Sequence, residues 1–168
     1  MREVRVQIRE VITPQDLDYL ADNLREGDRL EMLAYNGMEP REGLQYCVDN
    51  NDEVWVACVE GVPCCLFGLQ EQMFEDDEEN SSAVIWALGT DLLFQHKKLM
   101  ALISRKVIRD WLNRYDVLFN YIWEENEVHR NWLERMGFTV LPDTFIKSEM
   151  GEKFLLFLQF SPVNMEED

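Results

Sequence analysis

The chain opens on strict alternation: Val4, Val6 and Ile8 are interleaved with Arg5, Gln7 and Arg9, the period-two pattern of a strand with one buried face. The period then changes. Thr13, Pro14 and Asp16 supply an N-cap, a proline in the first turn and an early acid, and Leu17, Leu20, Ala21 and Leu24 follow at helical spacing. A helix is predicted over residues 14–25, ending before Gly27. Leu30, Met32, Leu33 and Ala34 mark a second over 28–35 that stops at the Asn36-Gly37 turn, and Pro40 opens a third over 40–48. These helices form a lid segment.

Residues 53–60 and 64–70 are rich in Val, Trp, Phe and Cys, and the short connection Glu60-Gly61-Val62-Pro63 predicts an antiparallel hairpin. A fourth strand is expected over 83–88, followed by the turn Gly89-Thr90-Asp91 with a capping residue. Leu99, Met100, Ile103, Val107, Ile108, Trp111 and Leu112 then trace one face of a long amphipathic helix, opposite Lys98, Arg105, Lys106 and Arg109. The apolar run 117–123, bounded by Asp116 and Glu124, predicts a central strand buried on both faces. Asn126 stands at the N-cap of a helix bearing His129, Trp132, Leu133 and Met136, and Gly137 occupies its left-handed C-cap. Strands over 138–141 and 153–160, separated by a loop with Pro142 and Gly151, close the chain.

Between the hairpin and the fourth strand, residues 71–82 carry six acids from Glu71 to Glu79 and then two serines, which predicts an exposed acidic loop. Residues 161–168 form an acidic C-terminal tail. Acids outnumber bases 33 to 16, a net charge of -17 that repels nucleic acid and anionic membranes. The charge serves solubility, or it attracts a basic partner. With 168 residues and 46% hydrophobic positions spread along the chain, a single domain with no linker or repeat is expected. Cys47, Cys58, Cys64 and Cys65 lie in apolar runs without a C-x-x-C pair, far in sequence from His96 and His129. That argues against a zinc site and for reduced thiols in a cytosolic protein. No apolar run approaches the ~20 residues a bilayer span needs.

The element order is strand, two or three helices, three strands, helix, strand, helix, two strands, and residues 126–138 end in Met136-Gly137-Phe138. In this the chain resembles the GNAT N-acetyltransferase superfamily over nearly its whole length. The resemblance implies an α/β (α+β) domain with a central mixed, mostly antiparallel, twisted sheet of about seven strands flanked by helices. Residues 86–91, the run 115–123, Asn126, Gly137 and the aromatic strand 154–160 resemble more closely the GNAT-like internal virion proteins of short-tailed phages. That implies virion assembly or infection as the setting, virion proteins or a basic host protein as partners, and the host cytoplasm or virion interior as location.

The superfamily implies acetyl-CoA as cofactor, in the cleft between strands 83–88 and 117–123, with Leu88, Gly89 and Asn126 as contacts. Its pyrophosphate loop reads Gln/Arg-x-x-Gly-x-Gly/Ala, because only small residues let the backbone amides approach the phosphates. Residues 95–100 here place Lys98 and Met100 at the small positions. His96, Lys97 and Lys98 either meet the pyrophosphate with side-chain charge or form a solvated helix face. Glu124 and Glu125, just past the central strand, are candidate general bases, and His129 is a candidate proton shuttle. Leu133 stands where the family often has a proton-donating tyrosine. Two functions follow: an acyl-CoA-dependent N-acetyltransferase with an altered pyrophosphate loop, or a GNAT-fold structural or host-directed binding protein without catalysis.

Overall fold

A computed structural model of the protein describes residues 3–72 and 81–162. In chain order the elements are β1 (Val6–Arg9), α1 (Pro14–Asn23), α2 (Glu26–Asn36), α3 (Pro40–Asn50), β2 (Glu53–Val59), β3 (Val62–Gln72) and β4 (Ser82–Gly89). There follow α4 (Leu92–Gln95), α5 (Lys97–Leu112), β5 (Val117–Trp123), α6 (Glu127–Arg135), β6 (Thr139–Lys147) and β7 (Lys153–Phe160). The strands form one seven-stranded sheet in the order β1-β2-β3-β4-β5-β7-β6. Every neighbouring pair is antiparallel except β4 with β5, which is parallel. The mixed sheet flanked by helices is the expected fold class.

Local chemistry explains most boundaries. Thr13 and Asp16 make a reciprocal capping box, Asp16 N to Thr13 Oγ1 at 3.1 Å and Thr13 N to Asp16 Oδ2 at 2.9 Å, which starts α1. Arg9 grips both oxygens of the same carboxylate at 3.0 and 3.1 Å and so fastens β1 to α1. Burial pushes the Asp16 carboxyl up, but Arg9 and the Thr13 hydrogen bonds outweigh it and hold it below the usual range. The β2–β3 hairpin turns on Glu60 (φ 50°) and Gly61 (φ 79°), a two-residue turn whose left-handed backbone matches the twist of the strands.

Two cores flank the sheet. On one face Leu17, Leu20 and Leu44 of α1 and α3 pack on Val56, Cys58 and Leu66, with Trp86 and Leu88 of β4 against them. On the other, Trp111 and Leu112 of α5 and Leu133 of α6 pack on Leu69, Ile85, Leu118, Ile122 and Phe157. Each fully buried leucine contributes roughly 1.5–3 kcal/mol. Gly68 shows how closely these layers meet: a Cβ there clashes with the Glu53 carbonyl oxygen and lies 2.9 Å from the Trp86 ring. Gly68→Ala is therefore expected to lower stability by about 2 kcal/mol in urea unfolding. An unchanged midpoint contradicts that packing.

Several boundaries differ from expectation. Glu71 and Gln72 extend β3, paired with Ala83 and Ser82, so the acidic loop begins later than residue 71; residues 73–80 lie outside the described residues. Ser161, assigned to the acidic tail, is buried with its N–H on the Asp116 carbonyl at 2.8 Å, and 163–168 are likewise outside the described residues. The amphipathic helix is interrupted at His96 (φ -130°, ψ 48°), which separates α4 from α5. Asp91 gives no side-chain cap; the Thr90 hydroxyl accepts from Leu92 N instead, at 3.3 Å. Pro142 lies inside β6 rather than in a loop, because β6 is an edge strand and its register shift between Leu141 and Phe145 accommodates a residue without an N–H.

Candidate active site

The site begins with a defect in the sheet. β4 and β5 pair only from Ser82↔Val117 to Val84↔Phe119. Beyond that point Asn120 Nδ2 reaches across to the Ile85 carbonyl at 2.8 Å, and further along a cavity of about 260 Å³ opens between the strands. Trp86 and Leu88 belong to the α1/α3 face, Ile85 and Ala87 to the α5/α6 face, and all four line the cavity. It therefore passes through the sheet.

Backbone hydrogen-bonding groups alternate direction along a strand, so Ile85, Ala87 and Gly89 turn their N–H and C=O toward the open edge. The Ile85 carbonyl is taken by Asn120. Gly89 is taken twice, its N–H by Asp28 Oδ2 at 2.9 Å and its carbonyl by the Arg25 N–H at 2.8 Å. Among the described residues none pairs with the N–H or C=O of Ala87 on that edge.

Over the mouth lies α2. Arg25 Nη2 donates to Asp28 Oδ1 at 2.7 Å and to Asn126 Oδ1 at 2.8 Å. Asn126 Nδ2 returns to Asp28 Oδ1 at 3.2 Å and to Glu31 Oε1 at 3.4 Å, and Glu31 Oε1 also accepts the Trp123 N–H at 2.9 Å. One helix is thus tied to the ends of β4 and β5 and to the start of α6. The spacing Arg25, Asp28, Glu31 puts all three on one helix face, and that face is turned inward.

The electrostatics follow from burial. Burial first, and then the negative charge of Asp28, push the Glu31 carboxyl up to about 8, against the opposing hydrogen bonds of Trp123 and Asn126. A carboxyl poised there exchanges its proton near neutral pH, as a general base must. Burial lowers His129 below the usual imidazole value, so the ring is neutral at pH 7; Asp28 Oδ1 lies 3.8 Å from its Nδ1, which has no hydrogen-bond partner among the described residues. Cys47 and Cys65 also line the cavity, but burial pushes Cys47 up to about 11 and Cys65 well above its usual value. Both stay thiols and are poor nucleophiles.

The residues singled out in the sequence fall into two groups. Leu88, Gly89 and His129 line the cavity, and Asn126 joins the network at its mouth. Gly89 has no backbone group to spare, and Asn126 is an N-cap in position only: its side chain bonds α2 and makes no capping hydrogen bond. The second group lies outside the cavity lining. Glu124 and Glu125 are exposed, with Glu124 3.7 Å from Lys153. Lys97 and Lys98 are exposed in the first turn of α5 and, with His96, line a shallow recess that shares Phe94 with the cavity. Leu133 is buried in the wall. Arg25, Asp28 and Glu31 were not anticipated; their only sequence signal was three charges at spacing three in a segment whose buried face the pattern left undecided.

Among the described residues no group of three or more His, Cys, Asp and Glu could hold a metal ion. No family model matches the sequence, and no curated protein matches it. Solved structures do match in shape. An aminoglycoside N(6')-acetyltransferase from Legionella pneumophila superposes with a TM-score of 0.68 at 12% identity, covering 100% of this chain and 99% of that one. A ribosomal-protein-alanine N-acetyltransferase from Brucella melitensis gives 0.66 at 18% identity, over 92% and 99%. The aminoglycoside acetyltransferase AAC(6')-Ib in complex with coenzyme A gives 0.63 at 15%, over 97% and 99%. At such identities the likeness is one of fold, and on that ground the chain has the fold of the GNAT-like acetyltransferases.

Proposed function

We propose that this chain binds an acyl-coenzyme A in the cleft between β4 and β5 and transfers the acyl group to an amine. The observation that carries the reading is the opened strand pair, which leaves the Ala87 N–H and C=O to an amide-bearing ligand and stands beneath the near-neutral carboxyl of Glu31. The amides of the pantetheine arm suit that backbone pair, as an added strand would. Lys97 and Lys98 suit the pyrophosphate. Cations in the first turn of a 16-residue helix face the positive end of its dipole, an unfavourable place that an anion relieves.

When bound, the thioester supplies an activated acyl carbon. Glu31, as carboxylate, takes the proton from the amine nitrogen. Leu133 has no proton to give, so the proton that Glu31 takes from the amine is the one returned to the departing sulfur, with Ser104 and Tyr121 of the lining offering hydroxyls to relay it. Asp28 stays with Arg25 and Asn126 and holds α2 in place. A net charge of -17 favours a cationic acceptor. The resemblance of residues 86–91 and 115–123 to phage internal virion proteins supports a basic virion or host protein in that role, in the host cytoplasm or virion interior.

Release of coenzyme A thiol from acetyl-CoA, followed with a polyamine, an aminoglycoside and a lysine-rich peptide, tests the reaction: amine-dependent release is expected with at least one. Leu133 favours the second reading, a protein that has the fold without the chemistry, and binding with no thiol release from any amine would establish it. Reversing both lysines, Lys97→Glu with Lys98→Glu, is expected to weaken acetyl-CoA about tenfold, ~1.4 kcal/mol, and to leave S-acetylpantetheine, which lacks the pyrophosphate, less affected. Equal losses for both ligands contradict the assignment of the lysines.

A further inference from the structure

On the α5/α6 side of the sheet the cavity deepens into a chamber whose wall is built from Ile103, Val107, Ile108 and Trp111 of α5, with Phe67 and Phe157 of the sheet opposite. Most polar groups of the lining lie elsewhere: Arg25, Asp28 and Glu31 are on the lid, His129 stands 3.8 Å from Asp28, and Asn120 is at the splay, while Ser104 of α5 lies beside this wall. Toward the C-terminal end of α5 the chamber is blind. Trp111 lies against Phe67 and Trp55, with ring centroids 6.3 and 6.1 Å away, and Trp55 and Phe67 stack at 5.7 Å. The helix between Met100 and Trp111, both in the lining, spans roughly 16 Å.

An acetyl group needs no such space. Apolar cavities of ~150 Å³ stay dry and take up hydrocarbon, and the whole cleft, of which the chamber is the apolar part, measures about 260 Å³. We infer that the chamber is the seat of a medium-length alkyl chain on the acyl donor, so that the transferred group is a fatty acyl chain rather than acetyl. The inference rests on the acyl-CoA reading above and specifies its donor. The polar splay fits the amide and thioester part of the ligand, the apolar chamber fits the chain, and the aromatic end limits its length.

The test is a calorimetric titration of the protein with acetyl-, butyryl-, octanoyl- and palmitoyl-CoA. Burying a methylene strengthens binding by about fourfold at most; octanoyl-CoA is expected to bind at least ~30-fold more tightly than acetyl-CoA, and palmitoyl-CoA to lose part of that gain at the blind end. Val107→Phe, which puts a ring into the chamber, is expected to bring octanoyl-CoA back toward the affinity of acetyl-CoA. Should that variant unfold, the chain-length series on the unaltered protein still decides. Equal affinity for all four esters overturns the chain seat and leaves the acyltransferase reading standing; failure of all four to bind overturns both.

Discussion

Glu31→Gln is expected to lower the rate of acyl transfer by ~100-fold or more, the usual contribution of a positioned general base. The pH profile distinguishes this from a structural effect. In the unaltered protein the rate should climb as Glu31 loses its proton around pH 8, and that limb should vanish in the variant. Stability should move the other way. The carboxyl holds its proton to about 8 in the folded chain against an ordinary 4.5, so the folded state binds more protons through that window. Its stability is fully present below the unfolded value and is lost as pH rises through the folded one. Glutamine cannot ionise, so E31Q should gain in unfolding midpoint over the unaltered protein as pH goes from 5 to 9. Parallel midpoint profiles for the two proteins contradict a raised carboxyl at this position.

Arg25→Ala carries the largest expected structural cost. Asp28 is buried and the Arg25 side chain only 13% exposed, and removing the guanidinium leaves a carboxylate under the lid with only Asn126 and the Gly89 N–H. Breaking a buried pair in this way costs about 3–5 kcal/mol, which in a chain of this size lowers the melting temperature by roughly 10 °C. Because the loss comes from the stranded charge, adding Asp28→Asn should recover part of it. A double variant no more stable than R25A shows that the carboxylate is not the source. Thermal unfolding of the three variants measures both effects.

The fold was legible because local and long-range signals agree. Thr13 with Asp16, Glu60-Gly61 and Gly137 each specify their local geometry from the residues alone, and the observed capping box and positive φ angles follow. The order of elements then leaves little choice of sheet. Pro142 misled the pattern because whether a proline can enter a strand depends on that strand lying at an edge, a property of the assembled sheet. The site was half legible. Leu88, Gly89, Asn126 and His129 could be placed near the cleft from the resemblance, but Gly89 proved to be engaged by the lid and Asn126 by α2 rather than by its own helix. Glu124 and Glu125 drew attention as carboxylates next to the central strand, yet the carboxyl turned into the cavity belongs to α2. A base is made here by burial and by the neighbouring charge of Asp28, and neither is visible until the helix has docked.

The most direct measurement is a calorimetric titration of the intact protein with acetyl-CoA, repeated on the variant with Lys97 and Lys98 reversed. The cleft between β4 and β5 predicts saturable one-to-one binding that raises the melting temperature and weakens in the variant. No heat and no thermal shift at millimolar ligand contradicts the account.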